Sequence, residues 1–240
     1  MATKHLKLLV LAGGFGSRLK TAVSDVPKSL APVGHQPFLQ IQIAHWMGQG
    51  TTEFLFLLHH EADKIVGFLE EKKLDLLKTC QIQILVESEP MGTGGAIANA
   101  IKELELKENF LVANSDTWLG TGICEVSRAV SPAMAVVTVA DASRYGRVEI
   151  DEHSHVQLFA EKNPNYDSGL INAGLYRLSP DLFSKWDGKP FSLERDLLPD
   201  LVQSHNLTAV RLATDFIDIG IPRDYYRFCD WIRSGRGMSL

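Results

Sequence analysis

The fold of this chain is decided by one glycine-rich stretch, which runs from Leu9 to Leu39 and reads LVLAGGFGSRLKTAVSDVPKSLAPVGHQPFL. The apolar run from Lys7 to Leu11 predicts a buried strand, and the glycines after it predict a tight turn. Glycines let the backbone approach a bound group closely, and successive free N–H groups form a concavity that binds anions. Two cations, Arg18 and Lys28, follow the turn. The stretch therefore predicts phosphate chemistry.

The composition is that of an ordinary globular protein in which any bound anion must be held by local cations. The 240 residues, 45% of them hydrophobic, suffice for one sizeable core or two tightly joined lobes. A formal net charge of −5 argues against a general nucleic-acid-binding protein. The apolar run from Leu6 to Ala12 is too short for a membrane span or a signal-peptide core. The three cysteines lie far apart and form no metal-binding pair, so we predict a cytoplasmic enzyme or binding protein.

The first half of the chain alternates strand and helix patterns. After the first strand we predict strands at 51–58, 81–86 and 109–113, and helices at 37–48, 61–77 and 96–104. This alternation favours an α/β fold with a Rossmann-like, mostly parallel sheet and helices on both faces, in which ligands bind beyond the carboxyl ends of the strands. The turns at Gly13, Glu87 and Asn114 each follow a strand, so we expect them to converge.

The second half changes to short strands joined by short turns, which predicts extra antiparallel pairing. The predicted strands are 134–140, 147–151, 155–161, 170–176, 208–212 and 216–219, and the predicted helices are 192–203 and 222–233. Because no flexible linker interrupts the chain, we predict a single domain over residues 1–235. It would have a nucleotide half at about 1–130, an acceptor half at about 131–235, and a frayed tail at 236–240.

The glycine turn matches neither of two well-known phosphate motifs. The dinucleotide fingerprint requires a third glycine where this chain has Leu19, and the Gly-Lys-Ser/Thr sequence of the P-loop does not occur. A glycine turn alone can also be purely structural. What distinguishes this one is the pair of cations, Arg18 and Lys28, which suggests a different way of holding a triphosphate.

Further motifs follow the glycine stretch in order along the chain. The first two are LAGGFGSRL, from Leu11 to Leu19, and PKSLAPV, from Pro27 to Val33. The later ones occupy residues 87–95, 114–116, 161–162, 171–176, 192–196 and 216–222. In this order they resemble the signature of the sugar-1-phosphate nucleotidylyltransferases, or NDP-sugar pyrophosphorylases, over about residues 6 to 228.

The resemblance implies that the protein joins a nucleoside triphosphate to a sugar 1-phosphate and releases pyrophosphate. Because the sugar phosphate supplies its own nucleophilic oxygen, the protein needs no nucleophilic side chain. It must hold that oxygen in line with the α-phosphorus and neutralise the charge that develops as pyrophosphate leaves.

The resemblance also implies roles for individual residues. Arg18 would face the leaving phosphates, Lys28 the reacting phosphoryl group, and Lys162 the sugar-bound phosphate. Nucleotide-binding residues would be Leu11, Ala12, Gly13, Gly14, Gly16, Ser17, Arg18, Lys28, Glu87, Pro90, Gly92 and Thr93. Residues for the sugar phosphate would be Asn114, Gly146, Glu161, Lys162 and Asn172. The chain departs from the family in having Asn163 where a proline often follows Glu-Lys, with Pro164 one place later.

Two aspartates, Asp116 and Asp218, lie in or just after short apolar strand patterns. A single aspartate at a strand end is more often a turn or helix cap. The family places its metal ligands at both positions, so we interpret the two as a magnesium pair, with Asp116 also counted as catalytic. Magnesium commonly takes one or two carboxylates together with phosphate oxygens and waters.

Base preference is predicted from Glu87, at the end of the third strand. By the resemblance, this position meets the base edge, and relatives that use uridine or thymidine nucleotides tend to carry glutamine there. A carboxylate accepts two parallel hydrogen bonds, which matches the adjacent N1–H and N2–H₂ donors of guanine, whereas uracil presents one N–H between two carbonyls. We therefore predict that GTP is the nucleotide substrate. Glu89 is an alternative reader of the base, and the alternative without a function is that Glu87 is simply a solvated loop glutamate.

Within the family, the run from Val23 to Lys28 and the compact length most resemble the D-glycero-D-manno-heptose 1-phosphate guanylyltransferases of bacterial capsule and lipopolysaccharide synthesis. The alternatives are a mannose 1-phosphate guanylyltransferase and a glucose 1-phosphate thymidylyl- or uridylyltransferase. A catalytically silent homologue that binds sugar nucleotides and partners an active subunit is a different class, and the complete charge set argues against it. A Rossmann-type redox enzyme is a third option. The sequence leaves open the sugar and the oligomeric state, including a homodimer.

Overall fold

The structure, a computed structural model, describes residues 7–160, 162–163, 165 and 167–236. Its strands are β1 Leu8–Leu11, β2 Pro32–Val33, β3 Gln36–Pro37, β4 Glu53–Leu58, β5 Gln81–Val86, β6 Phe110–Asn114, β7 Thr117–Leu119, β8 Ala133–Val139, β9 Arg147–Ile150, β10 Val156–Ala160, β11 Gly169–Leu178, β12 Thr208–Arg211 and β13 Phe216–Asp218. Its α-helices are α1 Phe38–Gly48, α2 Ala62–Lys72, α3 Gly92–Glu103, α4 Ile123–Arg128, α5 Leu198–Gln203 and α6 Pro222–Arg233. Short 3₁₀ turns occur at Lys28–Leu30 and Pro180–Phe183, and a π-helical turn at Leu193–Leu197.

The described chain divides into two compact units. The first comprises residues 7–89, 114–120 and 215–236, and the second comprises residues 90–113 and 121–214. The chain therefore passes between the units more than once. The prediction of a single domain with a nucleotide half and an acceptor half stays a prediction, and residues 237–240 of the predicted frayed tail lie outside the described residues.

Parallel strands form the centre of the first unit. β1 pairs with β4, and β4 pairs with β5, with Phe56 of β4 opposite Val10 on one side and Ile84 on the other. From Phe54 to Leu58 every side chain of β4 is buried. Strands that are covered on both faces read as continuous apolar runs rather than alternating ones, which is why the sequence pattern identified them.

A short antiparallel ribbon in the same unit brings two distant segments together. β7 pairs with β13, so that Thr117 lies opposite Asp218 and Trp118 opposite Ile217. The backbone N–H of Ile219 extends the pairing by donating to the carbonyl of Asp116 over 3.0 Å. The ribbon therefore fixes the two aspartates, about one hundred positions apart in sequence, on neighbouring backbone segments.

An aromatic cluster holds α6 in the first unit. The ring of Phe228 lies 4.8 Å from that of Phe38 and 5.5 Å from that of Trp118, measured between centroids. The Tyr225 hydroxyl donates to the carbonyl of Pro32. Burial, the largest cause, helps to raise the pKa of this hydroxyl to about 12. α6 therefore packs the segment that follows Asp218 against residues 32–38.

The second unit is built around β11, the longest strand. It pairs antiparallel with β6, β8 and β9, while β10 pairs antiparallel with β9 and β12 pairs parallel with β8. The register with β8 shifts between Asn172 and Tyr176, and Gly174 in that bulge has φ 72°. A left-handed backbone conformation at a bulge strongly favours glycine.

The predicted α/β class, with parallel strands early and extra antiparallel strands later, is confirmed. The predicted start of α3 at about Ala96 is wrong, because the helix begins at Gly92. Glycines favour a loop by propensity, but the N–H groups of Gly94 and Gly95 both donate to the carbonyl of Phe191, a tertiary contact that stabilises the first turn.

Within the described residues, no helix is long and apolar enough to cross a membrane.

The predicted helix at 61–77 is also too long, because α2 ends at Lys72. The N–H of Leu77 donates to the carbonyl of Lys72 over 2.9 Å, which turns the chain away from the helix axis. This turn buries Leu77 and leaves Leu74 exposed. The short elements β2, β3, β7 and α4 were not predicted, and the end of the predicted strand at Glu161 lies outside the described residues.

Replacing Phe228 by alanine tests the aromatic cluster. Loss of a fully buried ring should lower the free energy of unfolding by about 3–5 kcal/mol, measured by urea titration of tryptophan fluorescence. Tyr226→Ala is the matched control, because it removes an exposed ring from the same helix and should cost no more than about 1 kcal/mol. Equal losses in the two variants would show that the cluster does not hold α6.

Candidate active site

The turns at Gly13, Glu87 and Asn114 converge as expected. The backbone at Gly13 packs against His59, since a Cβ at residue 13 would lie 3.2 Å from the His59 Cβ. The His59 Nδ1 lies 3.2 Å from the carbonyl of Glu87, to which it can only donate. The N–H of Ser115 donates to the carbonyl of Leu11 over 3.1 Å. Three turns predicted from sequence thus meet within the first unit.

The glycine loop closes directly onto Lys28. Gly16 has φ 59°, a conformation that favours glycine, and a Cβ there would lie only 3.0 Å from the Lys28 Cβ. Arg18 is exposed and makes no ion pair with any residue that the structure describes. The loop therefore places one cation on its surface and a second beneath it.

The ammonium group of Lys28 lies between the two aspartates. Its Nζ is 2.5 Å from the Asp116 Oδ2 and 3.7 Å from the Asp218 Oδ1. The lysine side chain is only 12% exposed, whereas those of Asp116 and Asp218 are 35% and 19% exposed. Three residues that the sequence predicted for one site are thus brought together in the first unit.

Each carboxylate has a further partner that fixes its direction. The Thr117 hydroxyl donates to the Asp116 Oδ1 over 3.1 Å, and the N–H of Gly220 donates to the Asp218 Oδ1 over 2.6 Å. A Cβ at Gly220 would lie 2.7 Å from that oxygen and 2.9 Å from the Lys28 Nζ. Only glycine therefore leaves room for the ammonium and the carboxylate at this point.

The charge of Asp116 is set by two opposing effects. Burial alone would raise the pKa of this carboxyl, but the positive charge and hydrogen bond of Lys28 outweigh it and lower the pKa. The carboxylate is therefore ionised in the neutral pH range. The site presents negative charge toward a single point that a cation already occupies.

The donor set fits a magnesium ion that is also held by a substrate. Asp116 and Asp218 direct oxygens toward one positively charged atom, so they could serve one cation together. In the described ranges, no group of three or more histidine, cysteine, aspartate or glutamate side chains could hold a metal. Two carboxylates completed by waters and phosphate oxygens are a common environment for Mg²⁺.

In the second unit, two predicted sugar-phosphate residues are neighbours. The N–H of Asn172 donates to the carbonyl of Gly146 over 3.0 Å. A Cβ at Gly146 would lie 2.9 Å from the ring of Phe159, so the backbone there is closely packed. Lys162 is exposed, and Glu161 lies outside the described residues.

The side chain of Asn172 has partners that the sequence did not reveal. Its Nδ2 donates to the Tyr176 hydroxyl over 2.6 Å, and its Oδ1 accepts from the Gly174 N–H over 3.0 Å. Gly174 lies in the bulge of β11 and Tyr176 at its far end, so Asn172 braces that bulge. The pKa of Tyr176 is raised well above its usual value by burial and by the charge of Glu194.

The remaining predicted nucleotide residues, and Asn114, which was predicted for the sugar phosphate, are distributed as follows. Leu11 ends β1, the Ala12 N–H donates to the Leu57 carbonyl, Ser17 is exposed, and Asn114 ends β6 half-buried. In the second unit, Pro90 lies two residues before α3, and Gly92 begins the helix. The Thr93 hydroxyl in its first turn donates to the Glu194 carboxylate over 2.7 Å and accepts from the Leu193 N–H over 2.9 Å. The sequence predicted no individual role for Glu194, Tyr176 or Gly220, although all three lie within the motifs that carry the family resemblance.

Comparison with known proteins agrees with this geometry. A model of the nucleotidyl transferase family matches residues 7–234. The chain belongs to the nucleotidyl transferase family. A D-glycero-α-D-manno-heptose 1-phosphate guanylyltransferase from Campylobacter jejuni is 32% identical over 225 residues, which cover 93% of this chain and 98% of that protein. A probable mannose-1-phosphate guanylyltransferase from Oryza sativa is 34% identical, but the chain spans only 63% of its length.

Solved structures show the same relationship. HddC from Yersinia pseudotuberculosis has a TM-score of 0.82 and 34% identity, covering 95% of this chain and 99% of that one. The same protein complexed with GMP-PN has a TM-score of 0.81. A putative glucose-1-phosphate thymidylyltransferase from Bacillus anthracis is 20% identical with a TM-score of 0.80, which shows the shared fold.

Replacing Gly220 by alanine tests the packing of this site. The added methyl must displace the Lys28 ammonium or the Asp218 carboxylate, so kcat/KM for nucleotidyl transfer should fall up to roughly 100-fold while the protein stays folded. The measurement is pyrophosphate release, with circular dichroism as the check on folding.

Gly67→Ala is the control, since nothing lies within 4 Å of its added Cβ, and it should retain activity. Full activity of the Gly220 variant would mean that the positions of these side chains do not matter for the reaction.

Proposed function

We propose that the protein transfers a guanylyl group from GTP to a sugar 1-phosphate, giving a GDP-sugar and pyrophosphate, with D-glycero-α-D-manno-heptose 1-phosphate as the favoured acceptor. The observation that carries the proposal is the Lys28 ammonium held between Asp116 and Asp218 beside the glycine loop. A buried cation flanked by two carboxylates, next to a loop of free N–H groups, suits a substrate that brings both phosphate charge and a metal.

The proposed reaction needs positioning and charge neutralisation rather than a nucleophilic side chain. An oxygen of the sugar phosphate forms a bond to the α-phosphorus, and the bond from that phosphorus to the bridging oxygen breaks, so that pyrophosphate leaves with the electron pair. Lys28 would bind the reacting phosphoryl group, and the exposed Arg18 the leaving phosphates. Both would stabilise charge that grows toward the transition state.

Asp116 and Asp218 would hold the metal, for which Mg²⁺ is the expected ion. When bound, it supplies neutralisation of phosphate charge. The protein's own contribution is to aim two carboxylates at one point through the β7–β13 ribbon and the Gly220 N–H.

The role of Lys162 as the ligand of the sugar-bound phosphate rests on the resemblance, together with its exposure. Glu161 is proposed on the resemblance alone. For Asn172, the brace to Tyr176 and Gly174 fixes the carboxamide, and such a fixed group is suited to recognising one sugar hydroxyl.

The choice of guanine is supported by Glu87 and by two relatives. Glu87 is half-buried at the end of β5, whereas Glu89 is exposed, so the first is the better placed to read a base. The Campylobacter relative is named a guanylyltransferase, and the Yersinia structure was obtained with GMP-PN. The heptose acceptor is favoured because the Campylobacter protein and this chain match over nearly their full lengths. The role in capsule or lipopolysaccharide synthesis, and the cytoplasmic location, follow from that acceptor.

A mannose 1-phosphate guanylyltransferase is the second candidate, supported by the plant relative at 34% identity. A thymidylyl- or uridylyltransferase would differ at the base-reading residue. A silent regulatory homologue has no chemical need for the Lys28, Asp116 and Asp218 arrangement, which argues for an active enzyme.

A substrate matrix tests the function. Five nucleoside triphosphates are combined with several sugar 1-phosphates and Mg²⁺, and products are identified by mass. We expect a GDP-sugar, with the manno-heptose 1-phosphate as the best acceptor. Better turnover of UTP or dTTP than of GTP would refute the base assignment, and no turnover with any pair would favour a binding protein.

Replacing Glu87 by glutamine tests the base reader. Loss of a charge-assisted hydrogen bond to guanine should reduce kcat/KM for GTP by roughly 10–100-fold. Activity with UTP or dTTP should fall less, because a glutamine amide pairs with a single N–H between carbonyls. Glu89→Gln is the matched control and should leave the GTP rate unchanged; the reverse result would assign the role to Glu89.

A further inference from the structure

The ammonium of Lys28 occupies the point on which both proposed metal ligands converge. Its Nζ lies within 4 Å of the Asp116 Oδ2 and the Asp218 Oδ1, at 2.5 and 3.7 Å. Gly220 closes the same space, because a Cβ there would lie 2.9 Å from the ammonium. A divalent cation bound by the same two oxygens would be in direct repulsion with the lysine. The two cations therefore compete for one place.

Departure of Lys28 from that place would need only a rearrangement of its side chain. Its stem begins against Gly16 of the glycine loop, where the Cβ is tightly packed, but its ammonium is carried on four flexible carbons. A triphosphate bound to the loop would bring phosphate oxygens near that stem. Phosphate charge is then an alternative partner for the ammonium, and its departure exposes the two carboxylates.

We propose that Lys28 is an internal counter-ion that holds the metal position closed in the nucleotide-free protein and releases it to the divalent cation when the triphosphate arrives. The inference rests on the proposed function and adds an order of events to it. Free protein binds the metal weakly, and metal and nucleotide bind together. The lysine also keeps the two carboxylates from repelling each other while the site awaits its substrate.

A purely structural ion pair makes the opposite prediction. If Lys28 only held the fold together and the two carboxylates formed no metal position, its removal would leave two repelling carboxylates and a weaker protein, with no gain in metal binding beyond the general effect of one lost positive charge. Metal affinity without nucleotide therefore separates the two roles, and it is independent of catalytic activity.

The experiment is a titration of Mn²⁺ in the absence of nucleotide, followed by the electron paramagnetic resonance signal of the free ion. Wild type should bind weakly. Lys28→Met should bind several-fold more tightly, although it is expected to be a poor enzyme. Lys73→Met is the matched control, because it removes one lysine charge from a helical ion pair with Glu70 and should behave as wild type. Adding Asp116→Asn to Lys28→Met should abolish the gain.

A second readout covers the case in which Lys28→Met folds poorly. Mn²⁺ should raise the melting temperature of Lys28→Met, or of Lys28→Gln, by more than it raises that of wild type, since ligand binding to the folded state stabilises it. Tight binding of Mn²⁺ by nucleotide-free wild type would overturn the proposal without any variant.

Three further results would also overturn it: equal affinity in wild type and Lys28→Met, a gain shared by Lys73→Met, or a gain that persists in the double variant. These outcomes are distinct from failure of the proposed function. A wild type that makes GDP-sugar while Lys28→Met gains no affinity keeps the function and refutes the counter-ion. A wild type that makes no GDP-sugar refutes the function, whatever the titration gives.

Discussion

The ion pair network of Lys28 with Asp116 and Asp218 is the interaction on which the rest of the first unit's site depends. Two carboxylates on adjacent backbone segments repel each other, and their burial adds to the cost unless a cation lies between them. The sequence supplies that cation from a third segment, next to the glycine loop. The β7–β13 ribbon, the aromatic cluster beneath α6 and the missing side chain at Gly220 all serve to bring these three segments to one point.

This arrangement explains how a protein with a net charge of −5 can bind a triphosphate. Positive charge is concentrated at the glycine loop, where Lys28 lies beneath the surface and Arg18 lies on it. The carboxylates offset the buried lysine and, in the proposed reaction, serve the metal that accompanies the nucleotide. The same three side chains thus stabilise the site and, in the proposed reaction, bind the phosphates and the metal.

Much of the fold could be predicted because its central strands are buried and read as unbroken apolar runs, as at β1 and β4. The helix α6 was also predicted with its observed bounds, since Pro222 marks its start. The ribbon between β7 and β13 could not be predicted, because strands of three residues carry no period. The start of α3 depends on the Phe191 carbonyl, a contact from about one hundred residues away.

The site was predicted as a set of residues rather than as a geometry. Motif resemblance paired Asp116 with Asp218 as metal ligands, but it did not predict that Lys28 would contact both of them, because 88 positions separate Lys28 from Asp116. Likewise, the brace between Asn172 and Tyr176 depends on a bulge in β11 that periodicity does not reveal. Such contacts are set by register and by space, which a sequence pattern does not contain.

The central claim is that Lys28 and Asp116 stabilise each other directly, and a double-mutant cycle on the free energy of unfolding tests it most directly. Lys28→Met, Asp116→Asn and the combined variant are compared with wild type by urea titration at neutral pH. A direct pair predicts that the double variant loses less stability than the sum of the single losses, by about 1–3 kcal/mol. Additive losses would contradict the account, because the two side chains would then act independently.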